Sequence, residues 1–174
     1  MKRIVSAALV VVAALVASPA SFAAVPEKGS IAIFAGIGPA IPFEGDYEVG
    51  FHLEAGGEYY LSNVLALRGT LGLTRSNADG GSGVTLGGLE ASAAYYARRG
   101  KWSPYVLGGV GIHTVDPPGR GASQRLSAHV GGGTEYYLDR RTALTGEVIG
   151  RFVGSAGGRT SSFASLAVAI KYHF

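Results

Sequence analysis

LEAGGEYYL, Leu53 to Leu61, occurs in outline twice more along the chain, as LEASAAYYA from Leu89 to Ala97 and as VGGGTEYYL from Val130 to Leu138. Each copy alternates in its second half, ends in a Tyr-Tyr pair and runs into a polar connector, SN, RRGKWSP or DRRT. After each connector comes a further alternating run: Leu65, Leu67, Leu71 and Leu73 in the first, YVLGGVGI from Tyr105 to Ile112 in the second, Leu144, Val148 and Phe152 in the third. Period two broken by turn signals is the pattern of strands joined in hairpins. Runs of about nine to eleven residues are what a tilted strand needs to cross a bilayer.

Two further runs, SIAIFAGIG from Ser30 and the closing segment from Ser162 to Phe174, bring the count of expected strands to eight. The connectors sort by position. Those after strands two, four and six are short. Those after one, three, five and seven are longer and rich in Gly, Pro, Asp and Ser (PAIPFEGDYE, RSNADGGSG, VDPPGRGASQR, GSAGGRTS). An even-stranded antiparallel barrel with short turns at one rim and longer loops at the other follows the plan of bacterial outer-membrane barrels. The expected fold is therefore all-β: an eight-stranded antiparallel transmembrane up-and-down β-barrel preceded by a cleavable signal peptide.

The leader is read from Lys2 and Arg3, the apolar run from Ile4 to Ala17, and the small residues of Ser21-Phe22-Ala23-Ala24. A basic start, an apolar segment too short to span a bilayer and a small-residue cleavage site make an export signal. It is expected to cover residues 1–23, with cleavage after Ala23, Sec-dependent export and a barrel domain over 24–174. Without Lys2 and Arg3, 13 of the 15 basic residues remain against 12 acidic ones. That near-neutral balance gives no reason to expect a nucleic-acid partner, which needs a local basic excess. There are no cysteines, so disulfides do not hold the exported chain. Glycine, 28 of 174 residues, disfavours helices.

Parity alone does not say which face of the sheet meets lipid; three features decide it. The polar positions Glu54, Glu58, Arg68, Glu90, Glu135, Glu147, Arg151 and Lys171 fall within strands, while the apolar face is uneven, with Gly57, Gly69, Ala91, Ala93 and Gly146 among the leucines. Fluid lipid tolerates such a surface better than a packed core does. The Tyr-Tyr pairs precede the short turns, with Trp102 and Tyr105 beside them, which suits an interfacial aromatic belt; Tyr59, Tyr95, Trp102 and Tyr136 are its expected members. An open sheet would leave an edge prone to aggregation, so the last strand is expected to pair with the first.

The leader, the eight alternating strands, PYVLGGVGI from Pro104 to Ile112, GGTEYYL from Gly132 to Leu138 and the closing LAVAIKYHF together resemble the small outer-membrane β-barrel proteins of the OmpA transmembrane-domain and OmpX type. The resemblance covers nearly all of the mature chain. It implies an outer-membrane location, lipid and lipopolysaccharide as surroundings, and an insertion machinery that reads a terminal aromatic with alternating apolar residues, here Leu166, Val168, Ile170, Tyr172 and Phe174. Members of the family are implicated in adhesion, serum resistance or membrane integrity.

An eight-stranded barrel is just wide enough for side chains to fill. The inward set, Glu54, Glu58, Glu90, Glu135 and Glu147 against Arg68, Arg151 and Lys171, with His52, His129 and His173 as donors, is expected to form a satisfied polar plug. With more carboxylates than fixed cations, at least one glutamate should be protonated or one histidine charged. A rearranging network would instead make a narrow channel for ions or small solutes. A lipid-modifying enzyme would need nucleophile, base and orienting acid within reach. Ser127 and His129 share a face with Glu135 further along, while His113 borders a loop, and both Ser127 and His129 are expected to point away from lipid. No catalytic, cofactor or metal site is expected, since the four histidines are scattered singly. The expectation is a monomer with an envelope-integrity role and surface contact through short loops, where Phe43, Tyr47 and Arg120 stand out.

Overall fold

The computed structural model describes residues 26–43, 48–77, 83–97, 100–116, 121–154 and 162–174. The leader lies outside the described residues, as do Tyr47 and Arg120. Eight strands follow in chain order: β1 (Ile31–Pro42), β2 (Gly50–Tyr60), β3 (Leu65–Asn77), β4 (Gly83–Tyr96), β5 (Trp102–Asp116), β6 (Ser123–Tyr137), β7 (Thr142–Val153) and β8 (Phe163–His173). Every neighbour in the chain is a neighbour in the sheet, and β1 also pairs antiparallel with β8, which closes an up-and-down barrel.

The strands run further into the connectors than the sequence pattern indicates. β1 continues through Pro39 to Pro42, and β3 and β4 take in Arg75 to Asn77 and Gly83. In a closed ladder each added pair satisfies two backbone groups, so polar Ser, Asn and Thr residues at the rim are drawn into pairing, as Asn77 with Gly83. The turns at 61–64 and 138–141, with the end of β4 and the start of β5, define one rim; both ends of the sheet, Ile31 and His173, lie at the same level.

Alternation is nearly strict. In β8, Leu166, Val168 and Ile170 are exposed while Ala167, Ala169 and Lys171 are buried. Across the barrel the exposed large apolar residues are Leu, Val, Ile and Phe with a few Tyr near the turns, and the charged strand residues Glu54, Glu58, Arg68, Glu90, Glu135, Glu147, Arg151 and Lys171 are all buried. An exterior this apolar around an interior this charged suits a lipid solvent and not water.

Closure depends on small residues at the seam. A Cβ on Gly38 would lie 1.7 Å from the backbone oxygen of Leu166 on β8, closer than any side chain can sit. Gly38→Ala is therefore expected to lose about 1–3 kcal/mol by forcing β1 and β8 apart. Denaturant titration of the detergent-folded barrel checks this, and an unchanged midpoint would mean that the seam is loose.

Candidate functional site: the barrel interior

The interior is layered along the axis. Nearest the turns, Tyr60, Tyr96 and Tyr137 surround Glu58 and Glu135. The Tyr60 hydroxyl donates to Glu58 Oε2 at 2.9 Å and that of Tyr137 to Glu135 Oε2 at 3.1 Å. The Tyr96 hydroxyl bridges the two carboxylates, 2.9 Å from Glu58 Oε2 and 2.7 Å from Glu135 Oε1. Lys171 reaches in from β8 to the same pair, with Nζ 2.9 Å from Glu58 Oε1 and in direct contact with Glu135 Oε1. One ammonium thus serves two carboxylates that come from β2 and β6.

One layer up, Arg68 spans the lumen. Its Nη1 donates to Glu147 Oε2 at 2.7 Å, and its Nε lies 3.5 Å from Glu58 Oε1, which ties this layer to the one below. The Tyr105 hydroxyl donates to the same Glu147 oxygen at 2.5 Å, and the guanidinium lies over the Phe34 ring at 4.0 Å. Phe34 can lie there because Gly56 has no side chain: a Cβ on it would be 2.6 Å from that ring.

The third layer centres on Arg151, which grips Glu90 in a fork, Nε to Oε1 at 2.7 Å and Nη2 to Oε2 at 3.2 Å. Its Nη1 donates to Ser165 Oγ at 2.5 Å, and Nη2 is 3.6 Å from Glu54 Oε2. Paired, parallel N–H···O contacts fix the guanidinium plane as well as its position. His52 stands beside Glu54, its Nε2 3.2 Å from Oε2, and His113 Nε2 is 3.4 Å from Glu90 Oε1. Five carboxylates thus meet three fixed cations, and imidazoles occupy positions beside two of them.

Above this layer the interior becomes mostly apolar, with buried Thr74 and Ser76 beside Leu86 and Val84. Val84, Leu86, Val115, Val153, Phe163 and Ala40 form a buried cluster at the loop end. The polar plug expected from the sequence is therefore a polar middle under an apolar lid. The lid was legible in principle: Val84 and Leu86 share parity with Glu90, Val153 with Arg151, and Phe163 with Lys171.

Three placements correct the sequence reading. Tyr60, Tyr96 and Tyr137 do not join an interfacial ring; the pleat sends one member of each Tyr-Tyr pair inward, where its hydroxyl meets a carboxylate. Tyr105 also points inward. Parity counted from Glu58, Glu90 and Glu135 predicts this for the pairs, since residues two, six and two positions further on share their face. The outward members, Tyr59 and Tyr95, are about half exposed, and Trp102 packs on Tyr136 with ring centroids 4.5 Å apart. His113 does not border a loop but lies buried inside the barrel.

The serine and histidine pairs are also rearranged. Ser127 Oγ lies 2.9 Å from His113 Nδ1, and His129 Nε2 lies 2.7 Å from Ser92 Oγ. Both imidazoles face Glu90, His129 Nδ1 at 4.0 Å, whereas Glu135 belongs to the Lys171 layer. A serine, a histidine and a glutamate do meet, but Glu90 is held by Arg151, and both hydroxyls lie inside the wall, away from the lipid-facing surface. The residues of the closing strand, Leu166, Val168, Ile170 and Tyr172, face outward, and Phe174 lies exposed at the turn rim, its backbone N–H donating to Ile31 O at 2.9 Å.

No family model matches the sequence, and no curated protein does. Solved structures do match. Neisserial surface protein A shares 17% identity over 83% of this chain and 96% of its own, with a TM-score of 0.64. The N-terminal barrel domain of Pseudomonas aeruginosa OprF shares 16% over 86% and 100%, with a TM-score of 0.60. The fold is that of the small outer-membrane β-barrels. Ail, the attachment invasion locus protein of Yersinia pestis, is a third such barrel, at 16% identity over 84% of this chain and 99% of its own, with a TM-score of 0.58. At these identities the likeness is one of architecture: the small outer-membrane barrels share strand number, closure and an apolar exterior, while the interior ion pairs described above are properties of this chain's own residues.

Proposed function

We propose that the protein is an integral outer-membrane barrel whose role is structural, contributing to envelope integrity as a monomer surrounded by phospholipid and lipopolysaccharide, with surface contact through its loops as a secondary role. The observation that carries this reading is the filled interior. Three linked ion layers cross the lumen, and the cluster of Val84, Leu86, Val115, Val153 and Phe163 closes it on the loop side. An ion crossing from rim to rim would have to open the fork between Arg151 and Glu90, and then enter a mostly apolar constriction where the Thr74 and Ser76 hydroxyls replace little of its hydration. A resting pore is the weaker reading for that reason. In the same reading no catalysis is assigned: Ser92, Ser127, His113 and His129 serve to satisfy the Glu90 layer.

Envelope fractionation with a heat-modifiability gel, followed by planar-bilayer recording of the folded protein, tests the proposal. Recovery in the outer membrane, a mobility shift on boiling and no unitary conductance steps are expected. Regular open-channel steps would replace the structural reading with a pore, and a soluble periplasmic product would overturn the membrane reading itself.

A further inference from the structure

The two rims differ in charge. At the loop rim, Glu48 and Asp116 balance Arg75 and Arg125 among the described residues. At the turn rim, among the described residues, Lys28, Lys101, Arg140 and Arg141 stand against Glu27 and Asp139. Of those two acids, Asp139 is engaged: its Oδ1 accepts the backbone N–H groups of Arg141 at 2.7 Å and Thr142 at 2.8 Å, which holds its carboxyl below the usual carboxylate range and shapes the β6–β7 turn. The β4–β5 connector adds Arg98 and Arg99 in sequence, outside the described residues.

Two of the basic groups, Lys101 and Arg141, are held at the level of the aromatic belt. Lys101 Nζ sits 5.1 Å from the Tyr136 ring centroid, beside Trp102, and Arg141 Nη1 donates to the Tyr172 hydroxyl at 3.3 Å. Their backbones are pinned to the sheet, Tyr137 N–H to Lys101 O at 3.0 Å and His173 N–H to Arg141 O at 2.7 Å. Between the β6–β7 turn and the seam, Arg140 and Arg141 line a cleft of about 340 Å³ with His173, Phe174, Pro26 and Glu27. A concave site with two guanidinium groups at the depth of lipid headgroups has the chemistry of a phosphate receptor.

We infer that the turn rim is a docking belt for anionic glycerophospholipid, with a headgroup phosphate seated between Arg140 and Arg141 and acyl chains lying along the outward faces of β6 and β7, the strands that this turn joins and against which Trp102 packs through Tyr136. Phosphate oxygens accept from the guanidinium forks, Lys101 adds a third positive charge around the rim, and Tyr136, Trp102 and Tyr172 pack at the glycerol level. The inference rests on the membrane reading above.

Trp102 is the single tryptophan in the chain and stands at this rim, so its fluorescence reports the local lipid. The full barrel is reconstituted in phosphatidylcholine vesicles containing, at equal low mole fraction, either phosphatidylglycerol or phosphatidylcholine brominated in the upper acyl chain. Brominated phosphatidylglycerol should quench Trp102 roughly threefold more efficiently, and high salt should bring the two lipids to parity. Arg140→Gln/Arg141→Gln should remove at least half of that preference without salt, the remainder being carried by Lys101 beside Trp102, and an undiminished preference in this variant would overturn the seat between the two arginines. Equal quenching by both lipids in the unaltered protein at low salt would overturn the inference while leaving the barrel in its membrane. Quenching by neither lipid would overturn the membrane reading and the inference together.

Discussion

Replacing Lys171 with methionine is expected to cost the folded barrel about 3–5 kcal/mol, because it leaves two buried carboxylates facing one another without their cation. Lys171 has no solvent exposure, and its Nζ contacts both Glu58 and Glu135 as well as the Tyr96 hydroxyl at 3.2 Å. Methionine keeps most of the unbranched side chain, being one heavy atom shorter, and removes the charge, so the loss reports mainly electrostatics and not a cavity. Arg68 lies 3.5 Å from Glu58 but is committed to Glu147, and the Tyr96 hydroxyl has one proton for two acceptors, so neither replaces the ammonium. The measurement is reversible urea unfolding in detergent micelles or lipid, followed by Trp102 emission and gel mobility. Adding Glu135→Gln to Lys171→Met should recover at least half of the loss, since it removes one of the two orphaned charges. A loss below about 1 kcal/mol in the single variant would mean that water reaches the layer and screens it, which is the behaviour of an exposed pair.

The elements that were legible in the sequence and those that were not divide along a physical line. Strand number, topology and closure follow from period two and from the sorting of connectors, because both are consequences of backbone pairing, which depends little on what the side chains meet. The membership of the inward set follows for the same reason: once Glu58 is inside, Gly56, Glu54 and His52 must share its face. Partners across the lumen were not legible. Arg68 and Glu147 are 79 positions apart and Arg151 and Glu90 are 61 apart, on strands that do not pair with one another. Their meeting depends on barrel diameter and stagger, which parity does not encode. The Tyr-Tyr pairs show the opposite failure. Their clustering near the turns suggests a single ring, yet alternation already requires that only half of those rings face lipid. The Ser127 and His129 pairing failed because shared parity on one strand places two side chains on the same face without bringing them into contact. Their actual partners, His113 and Ser92, come from β5 and β4.

Which solvent the outer face meets can be read from one substitution at two depths. Leu71 lies in the middle of β3, 64% exposed, with Ala55 and Leu89 as its partners on the adjoining strands. In a bilayer, Leu71→Arg places a guanidinium at the midplane and should cost about 2–4 kcal/mol, whereas Leu61→Arg, in the β2–β3 turn at the rim, should cost about 0–1 kcal/mol. The difference arises from the medium alone, since neither side chain fills the core. In water the same pair of changes would be close to neutral at both positions, since an exposed leucine gives up little when replaced by a charged residue. Unfolding free energies of the two variants, measured in phospholipid vesicles with the unaltered barrel as reference, therefore discriminate between the two solvents. A gradient with depth is the signature of a spanning barrel; two flat values would place the apolar face against something other than lipid. The inward neighbour Thr70 supplies the internal control. It is buried on the opposite face of the same strand, paired with Glu90 and Gly56. Thr70→Val should therefore respond to packing in the lumen and not to the presence or thickness of the bilayer.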